Sequence, residues 1–91
     1  MEGQCFIDND GENRHLPFEM ITDSKMTVDK CKAHCFEKQY NFAGVKNGKK
    51  CFCGKTRPPI PASLQDCNMS CAGDKTQLCG GPNRFNVYEN I

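Results

Sequence analysis

Cys31-Lys32-Ala33-His34-Cys35, followed by Tyr40-Asn41-Phe42-Ala43-Gly44-Val45-Lys46-Asn47-Gly48-Lys49-Lys50-Cys51-Phe52-Cys53-Gly54, is the stretch on which the fold turns. Positions four apart return to one face of a helix, and positions two apart return to one face of a strand. Cys31 and Cys35 therefore share a helix face, and Cys51 and Cys53 share a strand face. Two side-by-side disulfides across those faces would staple one helix onto one hairpin. The favoured order is Cys31–Cys51 with Cys35–Cys53, and the swapped order satisfies the same face logic.

The flanking residues support both elements. Thr27 is a good N-cap, with Met26 and Cys31 at the positions of a hydrophobic staple, so a helix is predicted from Val28 to about Lys38. Asn47-Gly48 between two alternating runs predicts a hairpin with a two-residue loop, because both turn positions favour positive φ. That loop sets Lys46 opposite Lys49, Gly44 opposite Cys51 and Phe42 opposite Cys53. Tyr40, Phe42 and Gly44 then face the helix with the cysteines, and Ala43, Val45 and Phe52 face away.

Outward from this centre, Gln4 to Ile7 reads as a short strand ended by Asn9-Asp10-Gly11. His15 to Ser24 contains Pro17 and reads as a loop. Arg57-Pro58-Pro59-Ile60-Pro61 is expected to be extended. Cys67 to Asp74 and Leu78 to Gly81 read as loop and turn. Arg84 to Glu89 closes the chain as a strand able to pair with the one at Cys5. Cys71 and Cys79 enclose a Gly-containing loop and are a candidate local pair, which would leave Cys5 for Cys67.

Composition bounds the class. The chain has 91 residues, with 37% in the broad hydrophobic set, six Phe, two Tyr and no Trp. One domain is expected, spanning 1–91 with a core of about 4–90. A core this small needs cross-links, and an even count of eight cysteines fits an oxidised framework. Such frameworks belong to secreted or cell-surface proteins, so the expected location is extracellular. A net charge of +1 gives no case for nucleic acid. Lys46, Lys49, Lys50, Lys55 and Arg57 read as a solvated rim of the hairpin, with an anionic-glycan patch as the competing use. No apolar run reaches membrane-spanning length. The expectation is a monomeric domain of a longer secreted or membrane-anchored protein.

The order of these features resembles the WSC domain, named for fungal cell-wall stress sensors and also found in animal receptors, glycosyltransferases and fungal enzymes. The matching residues are Cys5-Phe6-Ile7-Asp8, Arg14 with Leu16, Ser24 with Met26-Thr27, and Cys31 with Cys35. They continue through Tyr40, Phe42-Ala43-Gly44, Cys51-Phe52-Cys53-Gly54, Cys67, Cys71 and Gly73. Cys79-Gly80-Gly81, Arg84 and Val87-Tyr88 complete the match, which runs from Cys5 to about Asn90. The resemblance implies an α+β, disulfide-rich fold of the PAN/apple type, with one main helix cross-linked to a small antiparallel sheet. It implies the pairing Cys5–Cys67, Cys31–Cys51, Cys35–Cys53 and Cys71–Cys79. It also implies carbohydrate recognition outside the cell, or, as in animal receptors, a place in a protein–protein assembly. The family often carries Trp between the paired cysteines, where this chain has Phe52.

A sugar site needs aromatic planes for the C–H faces of the ring and polar groups for its hydroxyls. The candidate glycan surface is Phe52, Tyr88, Arg84, Asn86, Asp66 and Asp74, with Tyr40 and Phe42 assigned to the core. Core packing is the favoured use of Phe52, turn stabilisation that of Asp66 and Asp74, and a structural hydrogen-bonding role competes equally for Arg84. Asn68-Met69-Ser70 is a sequon, so Asn68 is a candidate for carrying a glycan. Zinc on Cys31, Cys35, Cys51 and Cys53 with His34 or His15 is disfavoured, because C-x2-C spacing is absent and four cysteines would stay unexplained. Calcium on Asp8, Asp10 and Glu12 lacks the EF-hand glutamate. No cofactor is expected. The two histidines have no nucleophile in a recognisable arrangement, so the module is read as non-catalytic. Its partner is expected to be a polysaccharide or glycan, with an extracellular protein partner or a plain spacer as the alternatives.

Overall fold

The computed structural model describes residues 3–8 and 16–90. One helix, α1 (Val28–Glu37), lies on a sheet built from β1 (Gln4–Ile7), β2 (Phe18–Thr22), β3 (Phe42–Lys46), β4 (Lys50–Gly54) and β7 (Arg84–Glu89). The strand order is β1-β7-β3-β4-β2, and each described pairing is antiparallel. A two-stranded ribbon of β5 (Ser70–Cys71) and β6 (Asp74–Leu78) stands apart from it. The architecture is α+β, as expected.

The helix begins where its cap requires. The Thr27 side chain accepts a hydrogen bond from the Lys30 N–H, and Met26 is buried in the same cluster as Cys31. The side-chain oxygen of Gln77 in β6 accepts from the Val28 N–H at 3.0 Å, satisfying a further N-terminal donor. Cys31 and Cys35 face the sheet and form disulfides with Cys51 and Cys53, respectively. Cys5–Cys67 and Cys71–Cys79 complete the set, so the expected pairing holds at every bridge. β1 pairs with β7 along its whole length, also as expected.

Several expectations are corrected. The hairpin loop holds three residues, because Lys46 pairs with Lys50, Val45 with Cys51 and Ala43 with Cys53. Asn47 and Gly48 do take positive φ, but Lys49 joins them in the turn. Tertiary contacts hold this longer tip. The Lys49 carbonyl accepts from the Asp23 N–H, and the Gly48 peptide groups bond to Cys79 and Ala72. One added residue exchanges the two faces of β3. Ala43 and Val45 therefore lie under the helix with the cysteines, while Phe42 and Gly44 lie on the opposite face. Gly44 stands opposite Phe52, and an added Cβ there would collide with Leu16 and press on Phe85.

The stretch read as a loop around Pro17 contains β2. Pro is tolerated at the start of an edge strand, where its missing N–H faces no partner. A bulge between Phe18 and Ile21 brings Phe18 opposite Cys53 and Ile21 opposite Cys51. The stretch read as turns between Cys67 and Gly81 contains the β5–β6 ribbon.

The sheet is thus buried on both faces. Cysteines, Ala43, Val45 and Met26 fill the space under α1, and Phe6, Leu16, Phe42, Phe52, Phe85 and Val87 fill the other. No helix of the described residues is long and apolar enough to cross a membrane.

Candidate functional site

Phe52, a candidate for ligand stacking whose favoured use is core packing, lies inside the protein. Phe52 is 1% exposed and meets Phe85 edge-on, with ring centroids 5.4 Å apart. Gly44 directly opposite leaves the space that Leu16 and Phe85 fill, so the face that points away from the disulfides is a second core. Asn86, 3% exposed, is also structural. Its side-chain oxygen accepts from the Gly80 N–H at 2.6 Å, and its amide donates to the Gly3 carbonyl at 2.9 Å. Neither residue offers a surface to a ligand.

The other candidates are scattered. Tyr88 is half-buried beside the helix, with the Lys32 ammonium 5.5 Å from its ring centroid. Arg84, four residues earlier on β7, stands about 13 Å away at the usual rise per strand residue. Its guanidinium is committed to Asp66 at 3.2 Å and to the Asn83 carbonyl at 3.0 Å. Asp74 belongs to the ribbon, where it accepts from the Thr76 hydroxyl and N–H. Those bonds hold its carboxyl below the usual carboxylate range, the hydroxyl contributing most. Asn68 is exposed in the segment before β5. His15, Asp10 and Glu12 lie outside the described residues.

The lysine rim is likewise divided. Lys46 is buried and pairs with Asp8, itself buried, at 2.5 Å. Its ammonium also lies 5.5 Å from the Phe52 ring centroid. Lys49, Lys55 and Arg57 are exposed, and Arg57 pairs with Glu89 at 3.5 Å.

A different aromatic pair reaches the surface through one of its rings: Phe18 is exposed, and Tyr40 is half-buried against the cluster under α1. Phe18 and Tyr40 stack with centroids 5.3 Å apart and planes 17° from parallel. Phe18 is 39% exposed on the edge strand, and the Lys55 ammonium lies 5.6 Å from its centroid. One disulfide mounts both rings. Phe18 sits opposite Cys53 in the β2–β4 ladder, and the Tyr40 N–H donates to the carbonyl of Cys35. Gln39, with a φ of 69°, turns the chain out of the helix just before Tyr40. The register places Phe42 beside both Gly54 and Glu89, so Lys55 and the Arg57–Glu89 pair share this end of the sheet. Sequence reasoning missed Phe18, because Pro17 hid the strand that carries it. The signal was there in the β-prone Phe18, Ile21 and Thr22, although the adjacent Met20 and Ile21 break the alternation.

The sulfur cluster of Cys31, Cys35 and Cys51 has ligand atoms within 4.8 Å of one another, a spacing that invites a metal. All three are consumed in disulfides, and no described cysteine is free, so the cluster has no thiolate to offer.

Comparison with known sequences follows the same residues. The sequence model of the WSC domain matches residues 3–81, which include all eight cysteines. The chain belongs to the WSC family. Its WSC sequence is 38% identical over 92% of the chain to a WSC domain-containing protein of Arthroderma benhamiae. It is 40% identical over 93% of the chain to Kremen protein 2 of Mus musculus. A third relative is xylosyltransferase oxt of Drosophila melanogaster, 37% identical over 93% of the chain. The chain spans 9%, 19% and 10% of the lengths of these three proteins. The WSC module is thus a small part of each of these proteins. Within it, the aromatic position between Cys51 and Cys53 serves the core in this chain.

Proposed function

We propose that this WSC module binds glycans outside the cell, without catalysis, and that a sugar ring stacks on the Phe18–Tyr40 pair. The observation that carries this reading is an aromatic stack whose outer ring, Phe18, is exposed, beside elements that the Cys35–Cys53 disulfide joins. Sugar C–H groups pack on aromatic planes, and a surface already ordered loses little entropy on binding. Exposed Asn41, next to Tyr40, supplies an amide suited to sugar hydroxyls. Arg84 and Asp66 pair with each other, and neither they nor Tyr88 and Asp74 take part in the proposed surface. Four disulfides favour an oxidising, extracellular setting. Residues 1–91 are read as one module with a core of about 4–90, attached in its parent to other domains.

Asn68 is read as a glycan carrier. It is exposed, and the hydrogen bond from the Ala72 N–H to the Gly48 carbonyl places its loop at the hairpin-tip end of the sheet. The Phe18–Tyr40 stack is at the opposite end, so an attached glycan leaves it open.

A protein partner is the second reading. Ile60 and Leu64, 49% and 65% exposed near β1, favour it as apolar anchors. Affinity electrophoresis of the oxidised chain in gels containing laminarin, xylan or heparin separates the two. Retardation that Phe18→Ala removes, with an unchanged circular dichroism spectrum, is expected. The absence of retardation in every gel would reject glycan binding in favour of a protein partner.

A further inference from the structure

We infer that the Phe18–Tyr40 stack takes an acidic sugar, a uronic acid or its like, whose carboxylate is met by Lys55. The inference rests on the glycan reading above and specifies its ligand class. Its basis is the charge around the rings. The Lys55 ammonium stands over the Phe18 ring, 5.6 Å from its centroid, and the residue is 39% exposed. Among the described residues no carboxylate pairs with Lys55. The nearby carboxylate of Glu89 is instead engaged by Arg57 at 3.5 Å.

An ammonium next to an aromatic plane matches the layout of a uronic acid, whose carboxylate projects from the rim of the pyranose ring. With Tyr40 stacked on Phe18 and Lys55 over it, a sugar seated at the exposed part of Phe18 brings that group to the ammonium. The cation–π contact holds the ammonium near the ring without neutralising it, so its charge remains available to an anion. A neutral sugar satisfies the aromatic plane and leaves the charge unused. Lys49 is equally exposed, yet it belongs to the hairpin tip at the other end of β4, with no described aromatic ring contact. It is therefore the control for non-specific attraction.

The test is affinity electrophoresis of the oxidised chain in polygalacturonate and, separately, in neutral laminarin, at two salt concentrations. Polygalacturonate is expected to retard the chain more strongly, and added salt to weaken that retardation. Lys55→Gln is expected to weaken polygalacturonate binding about two- to fivefold, as fits one exposed ion pair, with laminarin binding unchanged. Phe18→Ala is expected to abolish both, and Lys49→Gln to alter neither. Lys55→Gln binding polygalacturonate like the parent, or Lys49→Gln weakening it equally, overturns the inference. If laminarin binding still depends on Phe18, the glycan reading survives that result. If neither polymer binds, the inference falls, and the glycan reading falls with it if the xylan and heparin gels also fail to retard the chain.

Discussion

Lys46 and Asp8 form an ion pair 2.5 Å long that leaves 4% and 0% of their respective side chains exposed. The pair ties β3 to the end of β1 across β7, and it fixes which face of β3 carries the lysine. A buried charge stripped of its partner is costly, whereas an apolar replacement of both partners is much less so. Asp8→Ala is therefore expected to destabilise the oxidised fold by about 3–5 kcal/mol in urea unfolding. The double variant Asp8→Leu with Lys46→Met should recover most of that loss. An Asp8→Ala midpoint equal to the parent's would refute this account of the pair.

Gly44 is a packing position. A methyl group there overlaps Leu16 and comes within 3.0 Å of Phe85. Overpacking a filled core costs roughly 1–3 kcal/mol, and that is the expected effect of Gly44→Ala. Adding Leu16→Ala should make the two substitutions less harmful together than their sum. Strict additivity in thermal or urea unfolding would show that the methyl group meets no such obstacle.

Phe52 gives the sharpest contrast between stacking on a ligand and filling a core. Phe52→Ala is expected to cost about 3–5 kcal/mol, because it empties a site walled by Leu16 and Phe85. Phe18→Ala, at the exposed stack, should shift stability far less. Comparable stability of the two variants would contradict the burial described for Phe52.

The helix start depends on the distant ribbon. With Gln77 replaced by Ala, the Val28 N–H loses its acceptor, and about 1 kcal/mol of stability should go with it. Gln77→Glu, which keeps an acceptor and adds a negative charge near the helix N-terminus, should retain it. Faster amide exchange at Val28 in the Ala variant alone is the direct measurement.

Acid stability should fall in a defined direction. The Lys25 N–H, and next the Lys30 ammonium, hold the Asp23 carboxyl below its ordinary value of 3.8. Bonds from Thr76 do the same for Asp74. A carboxyl with a lowered folded-state pKa contributes stability above its unfolded value and loses it as pH falls through the folded one. The contribution is thus complete above about pH 4 and fades below it. Asp23→Asn combined with Asp74→Asn should flatten the stability profile below that point. An unaltered acid limb would show that neither carboxylate matters to it.

Much of this architecture was legible because disulfides restrict it so tightly. Cys31 with Cys35 and Cys51 with Cys53 announced a helix stapled to a hairpin, and the family pattern supplied the pairing order. Thr27 marked the helix start within a residue. The exposed stack was hidden for a local reason. Pro17 argued against a strand, and only the open edge of the sheet makes the proline harmless there.

The amino-acid sequence alone determined the sulfur framework, the helix, the presence of the hairpin and the pairing of its first and last strands. The helix and the hairpin depend on chemistry confined to a few neighbours, whereas the order of the disulfides came from the family pattern, because spacing fits the swapped order equally. Tertiary structure alone decided the register of β3, the burial of Phe52 and Asn86, and the meeting of Phe18 with Tyr40. The Asn47-Gly48 tip accepts either loop length locally. Bonds to Asp23, Ala72 and Cys79, far away in sequence, select the longer one. That one extra residue sends Gly44 and Phe42 to the side where Leu16 and Phe85 complete a second core.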